Sequence, residues 1–155
     1  MYIKSVHIEN YKSYYGSFDI TLNNGINILV GNNEAGKSTI IEAVHLALTG
    51  ILNGRYLKNE LSQYLFNNDV VNEYLENLKN GHPAPLPYIL IELYIGGDDC
   101  PLFCGNGNSQ KADDCGLSYK IAFDERYREV YEELIKQEVK TLPIEYYDVF
   151  WTSFA

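Results

Sequence analysis

The chain reads as an α/β fold, and three observations point there. Stretches near the N-terminus alternate apolar and polar residues with the period of two that a half-buried strand requires. A continuously apolar run, INILV, leads straight into a polar turn bounded by glycines. A segment with apolar residues at helical spacing follows at once. With 155 residues, 46% of them apolar and 21% charged, the chain can bury one ordinary core and is too short for two comfortable domains.

The elements follow in order. Lys4, Val6 and Ile8 alternate with Ile3, Ser5 and His7, which predicts an opening strand. YKSYYGS reads as a turn-like break, and FDITL alternates again through Phe18, Ile20 and Leu22. Asn23 to Gly25 is a hairpin or turn signal before INILV. Ser38 to Leu48 predicts a helix carrying Ile40, Ile41, Val44, Ala47 and Leu48, with Gly50 near its stop. A second helical region spans about Tyr56 to Leu78, with FNND as a candidate interruption. NGHPAPLP is a linker too rich in Pro and Gly to be helical. Then come a strand YILIELYI, a Gly/Asp/Cys loop from Gly96 to Gly116, a strand LSYKIAFD, an acidic helix from Glu125 to about Lys140, and a final extended segment IEYYDVFWTSF. The sequence has no internal repeat.

Composition limits the functional classes. No apolar run approaches the ~20 residues that span a bilayer, and MYIKSVHIEN lacks a signal peptide's apolar stretch, so the expectation is a cytoplasmic protein without membrane contact. The net charge of -9 is lopsided: residues 1–55 are neutral, and the whole excess lies in 56–155. An acidic surface does not draw nucleic acid to itself, so any DNA contact is expected to be local or to lie outside this chain. Cys100, Cys104 and Cys115 share one loop. Their odd number argues against a disulfide framework and favours free thiols, with a three-thiolate zinc site as the alternative.

Gly31-x4-Gly36-Lys37-Ser38 fits the phosphate-binding pattern G-x-x-x-x-G-K-[ST], the Walker A loop. Glycines let successive amides point inward at phosphate oxygens, and the following helix adds unpaired N–H groups and its positive dipole end. In this reading Lys37 neutralises β/γ-phosphate charge, the Ser38 hydroxyl ligates Mg²⁺, and Thr39 reaches the α-phosphate side. A chance match of the fixed positions in a chain this long is expected well under roughly 1% of the time. The apolar strand before and the amphipathic helix after supply the required context, so the expected ligand is ATP with Mg²⁺.

NYKSYYGSFDI followed by VGNNEAGKSTIIEAV resembles the N-terminal segments of SMC-like and OLD-family ABC-type ATPases. Those families open with an N-Phe-Arg-Ser-like motif, a short antiparallel strand and a G-x-N-x-x-GKS/T loop. Asn10-Tyr11-Lys12-Ser13 and Gly31-Asn32-Asn33-Glu34-Ala35-Gly36 stand at the corresponding places, with Tyr for Phe and Lys for Arg. LFCGNGNSQKADDCGLSYKIAFDE through LPIEYYDVFWTSFA is similar to the insertion-and-return segment of OLD-family ATP-dependent endonucleases. The resemblance implies a P-loop NTPase fold, an ABC/SMC-like ATPase lobe with a mixed sheet, with residues 1–55 as the phosphate-loop part and 56–155 as an insertion of helices and strands. It also implies a lobe that is incomplete at the C-terminus. Dimerisation of ATPase heads, a further chain or domain carrying Walker B, signature and Toprim parts, and DNA contact through the longer protein would follow.

Individual residues carry alternatives. Lys12, by resemblance, sits near the nucleotide or couples it to a partner head; otherwise it is a solvated lysine at a strand end. Asn33 and Glu34 could touch phosphate or ribose through their amides. His7 and His45 have no partner spacing and read as core or surface histidines. YILIE, Tyr88 to Glu92, compares with a Walker B strand. Its acid is Glu, however, and alternation puts Glu92 with Leu90 and Tyr94 on one face of an antiparallel strand, where a surface glutamate is the expectation. The tyrosines read as core edges and DERYREVYEELIKQE as a solvated helix face. No signature motif, Walker B aspartate or Toprim acid cluster is found, so no catalytic residue is assigned. Three functions remain in view: the ATP-binding lobe of an OLD-like endonuclease with a place in phage defence, an SMC-like repair ATPase head, and a non-catalytic nucleotide-binding or oligomerisation module.

Overall fold

In a computed structural model, residues 1–22, 34–97 and 100–155 are described, the side chains of 34–37 excepted. Strands β1 (Tyr2–Glu9), β2 (Ser17–Thr21), β5 (Ile89–Gly96), β6 (Cys104–Gly105), β7 (Asp114–Phe123) and β8 (Tyr147–Ser153) form one sheet. Its order is β2-β1-β5-β7-β6, with β8 also paired to β7. A two-residue hairpin, β3 (Ile51–Leu52) and β4 (Arg55–Tyr56), stands apart. The helices are α1 (Glu34–Thr49), α2 (Asn68–Lys79) and α3 (Arg128–Leu134). Every pairing among the described strands is antiparallel. The NNG turn, INILV and residues Gly31, Asn32 and Asn33 lie outside the described residues.

The period of two sorts the strands into a dry face and a polar one. Val6 pairs with Leu93 and Ile8 with Ile91, while Ile91 and Ile89 pair onward with Tyr119 and Ile121. These residues form a buried layer beneath α1, which adds Ile40, Ala43, Leu46 and Ala47. Burying each Val, Leu or Ile side chain contributes roughly 1.5–3 kcal/mol. The two alanines keep the helix close to the sheet.

The helix expected from Ser38 to Leu48 is therefore present, but it starts at Glu34, inside the phosphate-loop motif, and runs to Thr49. Its inward stripe also differs: Ile41 and Leu48, read from the sequence as part of the helically spaced apolar set, are exposed, and Leu46 takes the inner place. The 3.6-residue turn explains this, since Ile40, Ala43 and Ala47 already define a stripe that 41 and 48 flank. Gly50, at φ +73°, stops the helix, its N–H donating to the Leu46 carbonyl at 2.7 Å. Trp151 packs its ring over Gly50 and donates Nε1–H to the Ala47 carbonyl at 2.9 Å, docking β8 to the end of α1.

The long second helix expected over 56–78 breaks up. Residues Leu57–Asn59 and Gln63–Leu65 make 3₁₀ turns, and only Asn68–Lys79 is α-helical. FNND is where this helix begins: Asn67 Oδ1 accepts from Asp69 N at 3.0 Å and Val70 N at 3.3 Å, an N-cap. The acidic helix expected to reach Lys140 ends at Leu134, because Tyr131 alone of its residues is buried and Leu142 must return to the core. The cysteine expectation is corrected too. Cys104 and Cys115 are directly paired across β6 and β7 and form a disulfide, leaving Cys100 free. With two of the three sulfurs bonded to each other, a three-thiolate zinc site does not form here. No cluster among the described residues could hold a metal ion, and no helix among them is long and apolar enough to cross a membrane.

Candidate functional site

The stretch Asn10 to Gly16 leaves β1 and folds back against two other segments. Asn10 and Lys12 take positive φ, 60° and 49°, an uncommon conformation for non-glycine residues that local hydrogen bonding helps to hold. That bonding is present. Asn10 Oδ1 accepts from Gly16 N at 3.0 Å, and Asn10 Nδ2 donates to the Tyr88 carbonyl at 3.0 Å. Asn67 N donates to the Asn10 carbonyl at 2.8 Å and Asn67 Nδ2 to the Lys12 carbonyl at 2.9 Å, while Lys12 N donates to the Leu65 carbonyl at 2.9 Å. Asn67 thus caps α2 with one side-chain atom and pins Lys12 with the other. The turn-like break of the sequence is a fixed loop.

This loop delivers two side chains to α1. Tyr11, fully buried, donates its hydroxyl to Glu42 Oε1, and Lys12 Nζ donates to the same oxygen. Burial, reinforced by the neighbouring Glu42 carboxylate, pushes the Tyr11 hydroxyl far above its ordinary range, so it stays a donor. Glu42 lies one turn past Ser38, on the same side of the helix. Lys12 therefore stands one turn along α1 from the candidate Mg²⁺ ligand. Ser38 is exposed, and it borders an open cleft with Glu42, His45, Leu52 and Asn53; Thr39 is buried. The backbone of Glu34, Ala35, Gly36 and Lys37 forms the first turn of the 16-residue helix, and their side chains lie outside the described residues, as do Gly31, Asn32 and Asn33 altogether. Of the expected site residues, Lys12, Ser38 and Thr39 are thus brought to one helix end. Glu42 was not singled out from the sequence, although an acid four residues after the loop serine was a readable signal.

Three other candidates land elsewhere. Glu92 alternates with Ile91 and Leu93, which lie in the layer beneath α1, and so projects from β5 to the opposite face of the sheet. Nor is it the surface glutamate expected: it is 1% exposed, and its carboxylate accepts from Ser109 N at 2.7 Å, Ser109 Oγ at 2.6 Å and Tyr94 Oη at 3.0 Å. His7 lies on that same outer face, opposite Glu92 in register, with Nδ1 2.7 Å from Asp19 and Nε2 2.8 Å from Glu9. Burial works against charge on the ring, but the two carboxylates outweigh it and raise the His7 pKa above its ordinary 6.5. His45, at the cleft rim, fits the surface reading.

A sheet overlain by a long helix that starts within G-x4-GKS defines the class: a P-loop NTPase fold. The chain belongs to the family described as AAA domain, which matches residues 5–141. It is 33% identical over 75 residues to the DNA replication and repair protein RecF of Clostridium botulinum (strain Loch Maree / Type A3), covering 48% of this chain and 20% of that protein. It is 52% identical over 46 residues to the DNA double-strand break repair Rad50 ATPase of Methanopyrus kandleri, covering 30% of this chain and 5% of the relative. Retron Ec83 probable ATPase of Escherichia coli is 34% identical over 73 residues, covering 46% and 12%. The matches to these curated relatives thus span a fifth or less of the relatives' lengths. A solved chain from work on "ATP-driven dimerization and DNA stimulated activation of SMC ATPases" overlays 79% of this chain and 63% of its own, at TM-score 0.46 and 20% identity. At that level the overlay fixes no detail of the site.

Proposed function

We propose that this chain is the ATP-binding N-terminal lobe of an ABC/SMC-like ATPase head, within a longer protein that acts on DNA. The observation that supports it most is the convergence on one helix: α1 starts within the G-x4-GKS sequence, and a loop fixed by Asn10 and Asn67 brings the Lys12 ammonium to Glu42, one turn beyond Ser38. The unpaired amides at a helix start attract phosphate oxygens. In this reading the backbone from Gly31 to Gly36 wraps the phosphates, Lys37 neutralises them, and Thr39 supports the α-phosphate side. Ser38, an exposed hydroxyl at this helix end, fits a magnesium ligand, and bound Mg²⁺ would supply charge neutralisation between phosphate oxygens. Lys12 adds a second cation whose place is set by Glu42 and Tyr11.

Hydrolysis in ABC-type heads needs a signature segment from a second head. The lobe alone is therefore expected to bind ATP weakly and turn over almost none. Isothermal titration with ATP and Mg²⁺ tests the reading: Lys37→Ala is expected to weaken binding about 10- to 100-fold, the cost of one charge-assisted contact. Unchanged affinity in Lys37→Ala would break the site assignment. Steady-state hydrolysis by purified monomer, abolished by the same substitution, would break the expectation of a partner-dependent enzyme.

The finer reading, an OLD-like endonuclease in which this lobe regulates a Toprim nuclease in phage defence, rests on the resemblance of segments 102–125 and 142–155. The similarity to Rad50 and RecF favours an SMC-like repair ATPase equally. ATP-dependent DNA cleavage by the full gene product, lost with a downstream acidic cluster, separates the first from the second. A non-catalytic module would bind nucleotide and cut nothing.

A further inference from the structure

We propose that the Cys104–Cys115 hairpin is a thiol–disulfide exchange site, a latch that a dithiol opens to uncover the buried Glu92 carboxylate. This inference does not rest on the nucleotide reading.

The hairpin is unusual in what holds it down. Its crossing residues, GNGNSQKAD from Gly105 to Asp113, contain one apolar side chain, Ala112, and that is exposed. Burial of apolar surface therefore contributes almost nothing to closure. Inside the loop, Asn108 is the organiser: its Oδ1 accepts from Gln110 N at 3.1 Å and Ala112 N at 3.3 Å, and its Nδ2 donates to the Ala112 carbonyl at 2.8 Å. Those bonds shape the loop without attaching it to the sheet. Attachment comes from Ser109 on Glu92, from Gly107 N on the Phe154 carbonyl at 2.9 Å, from Lys4 on Asp114 at 2.6 Å, and from the disulfide.

Glu92 makes the non-covalent part weak. Its carboxylate is out of water and accepts only from neutral donors; no cation among the described residues pairs with it. Lifting the loop returns this group to solvent, which offsets the hydrogen bonds lost. The Lys4–Asp114 pair is partly solvated on both sides and contributes little. What remains is the Gly107–Phe154 bond, the two-residue pairing of β6 with β7, and the covalent closure of an 11-residue separation, and of these only the disulfide is opened by a thiol reagent.

In the exchange, the Sγ–Sγ bond between Cys104 and Cys115 breaks and a disulfide forms within the dithiol. The two thiol protons of the dithiol end on the two cysteines, and two electrons pass to the protein. Compartments that keep thiols reduced would hold the latch open, and oxidising conditions would close it.

Hydrogen exchange read by mass spectrometry on the whole chain tests this, with and without dithiothreitol, beside a thiol titration. The oxidised chain is expected to titrate one thiol, Cys100, and the reduced chain three. Reduction is expected to speed exchange in 105–113 by about tenfold or more while 40–47 and 89–93 stay unchanged. A Cys104→Ser/Cys115→Ser double variant should exchange like the reduced protein in either condition. Three titratable thiols after treatment with oxidised glutathione would overturn the proposal. So would unchanged exchange in 105–113, or acceleration spread over the whole sheet, which would make the bond a general staple.

Discussion

On the inner face of the sheet, Val6, Ile8, Ile91 and Leu93 meet α1 with no side-chain polar atom to satisfy. On the outer face of the same strands, His7, Glu9 and Glu92 are nearly as dry, yet each carries polar atoms that need partners. These four aliphatic positions can be satisfied by volume and shape alone, and side chains of similar size can substitute for one another there. The outer face is satisfied only by particular partners at particular distances: Ser109 and Tyr94 donate to Glu92, Asp19 and Glu9 accept from His7, and Tyr88 Oη donates to Glu9 at 2.9 Å. One face is therefore tolerant and strongly stabilising, while the other is specific and sensitive to chemistry.

The largest expected effect belongs to the inner face. Leu93→Ala empties a fully buried site and should cost about 2–5 kcal/mol in urea denaturation. A cost below about 1 kcal/mol would mean that the layer beneath α1 is not the stabilising one. One residue along the same strand, Glu92→Ala removes the acceptor of Tyr94 and of Ser109, whose exposed loop can turn its donors to water, and should cost less, about 1 kcal/mol, with Glu92→Gln recovering part of it. If both neighbours cost the same and Gln recovers nothing, the contrast between the faces dissolves.

The smallest effect is in pH. The folded-state pKa of His7 is raised, so its stabilisation is complete below the unfolded value near 6.5 and is lost as pH climbs through the folded value. Glu9 and Asp19 contact the ring, and Glu92 stands opposite in register on β5. The urea midpoint should therefore fall modestly between pH 6 and pH 9, and His7→Gln should flatten that fall. An equally steep fall in the variant would assign it to other groups.

How much of this was legible in the sequence differs by feature. The antiparallel setting of Glu92 beside Leu90 and Tyr94 follows from alternation, as does the opening strand. Its burial did not follow, because the cover arrives from residues 17 positions away, in a loop that reads as surface. Helix length misled at 56–78 and 125–140 for one reason. Leucine and tyrosine spacing gives the period of a helix but not which turns find a core to pack on, and tertiary packing supplies most helical stability.

By itself the sequence determined the α/β class, a helix at the G-x4-GKS motif, and an acidic C-terminal two-thirds, because these depend on local periodicity and on residue chemistry at fixed spacing. The tertiary structure alone decided that Lys12 and Tyr11 share Glu42, that Asn67 both caps α2 and pins Lys12, and that Cys104 faces Cys115. Each of these joins residues brought together by strand pairing or helix docking, and the energy that selects them is realised only when distant segments exclude water together.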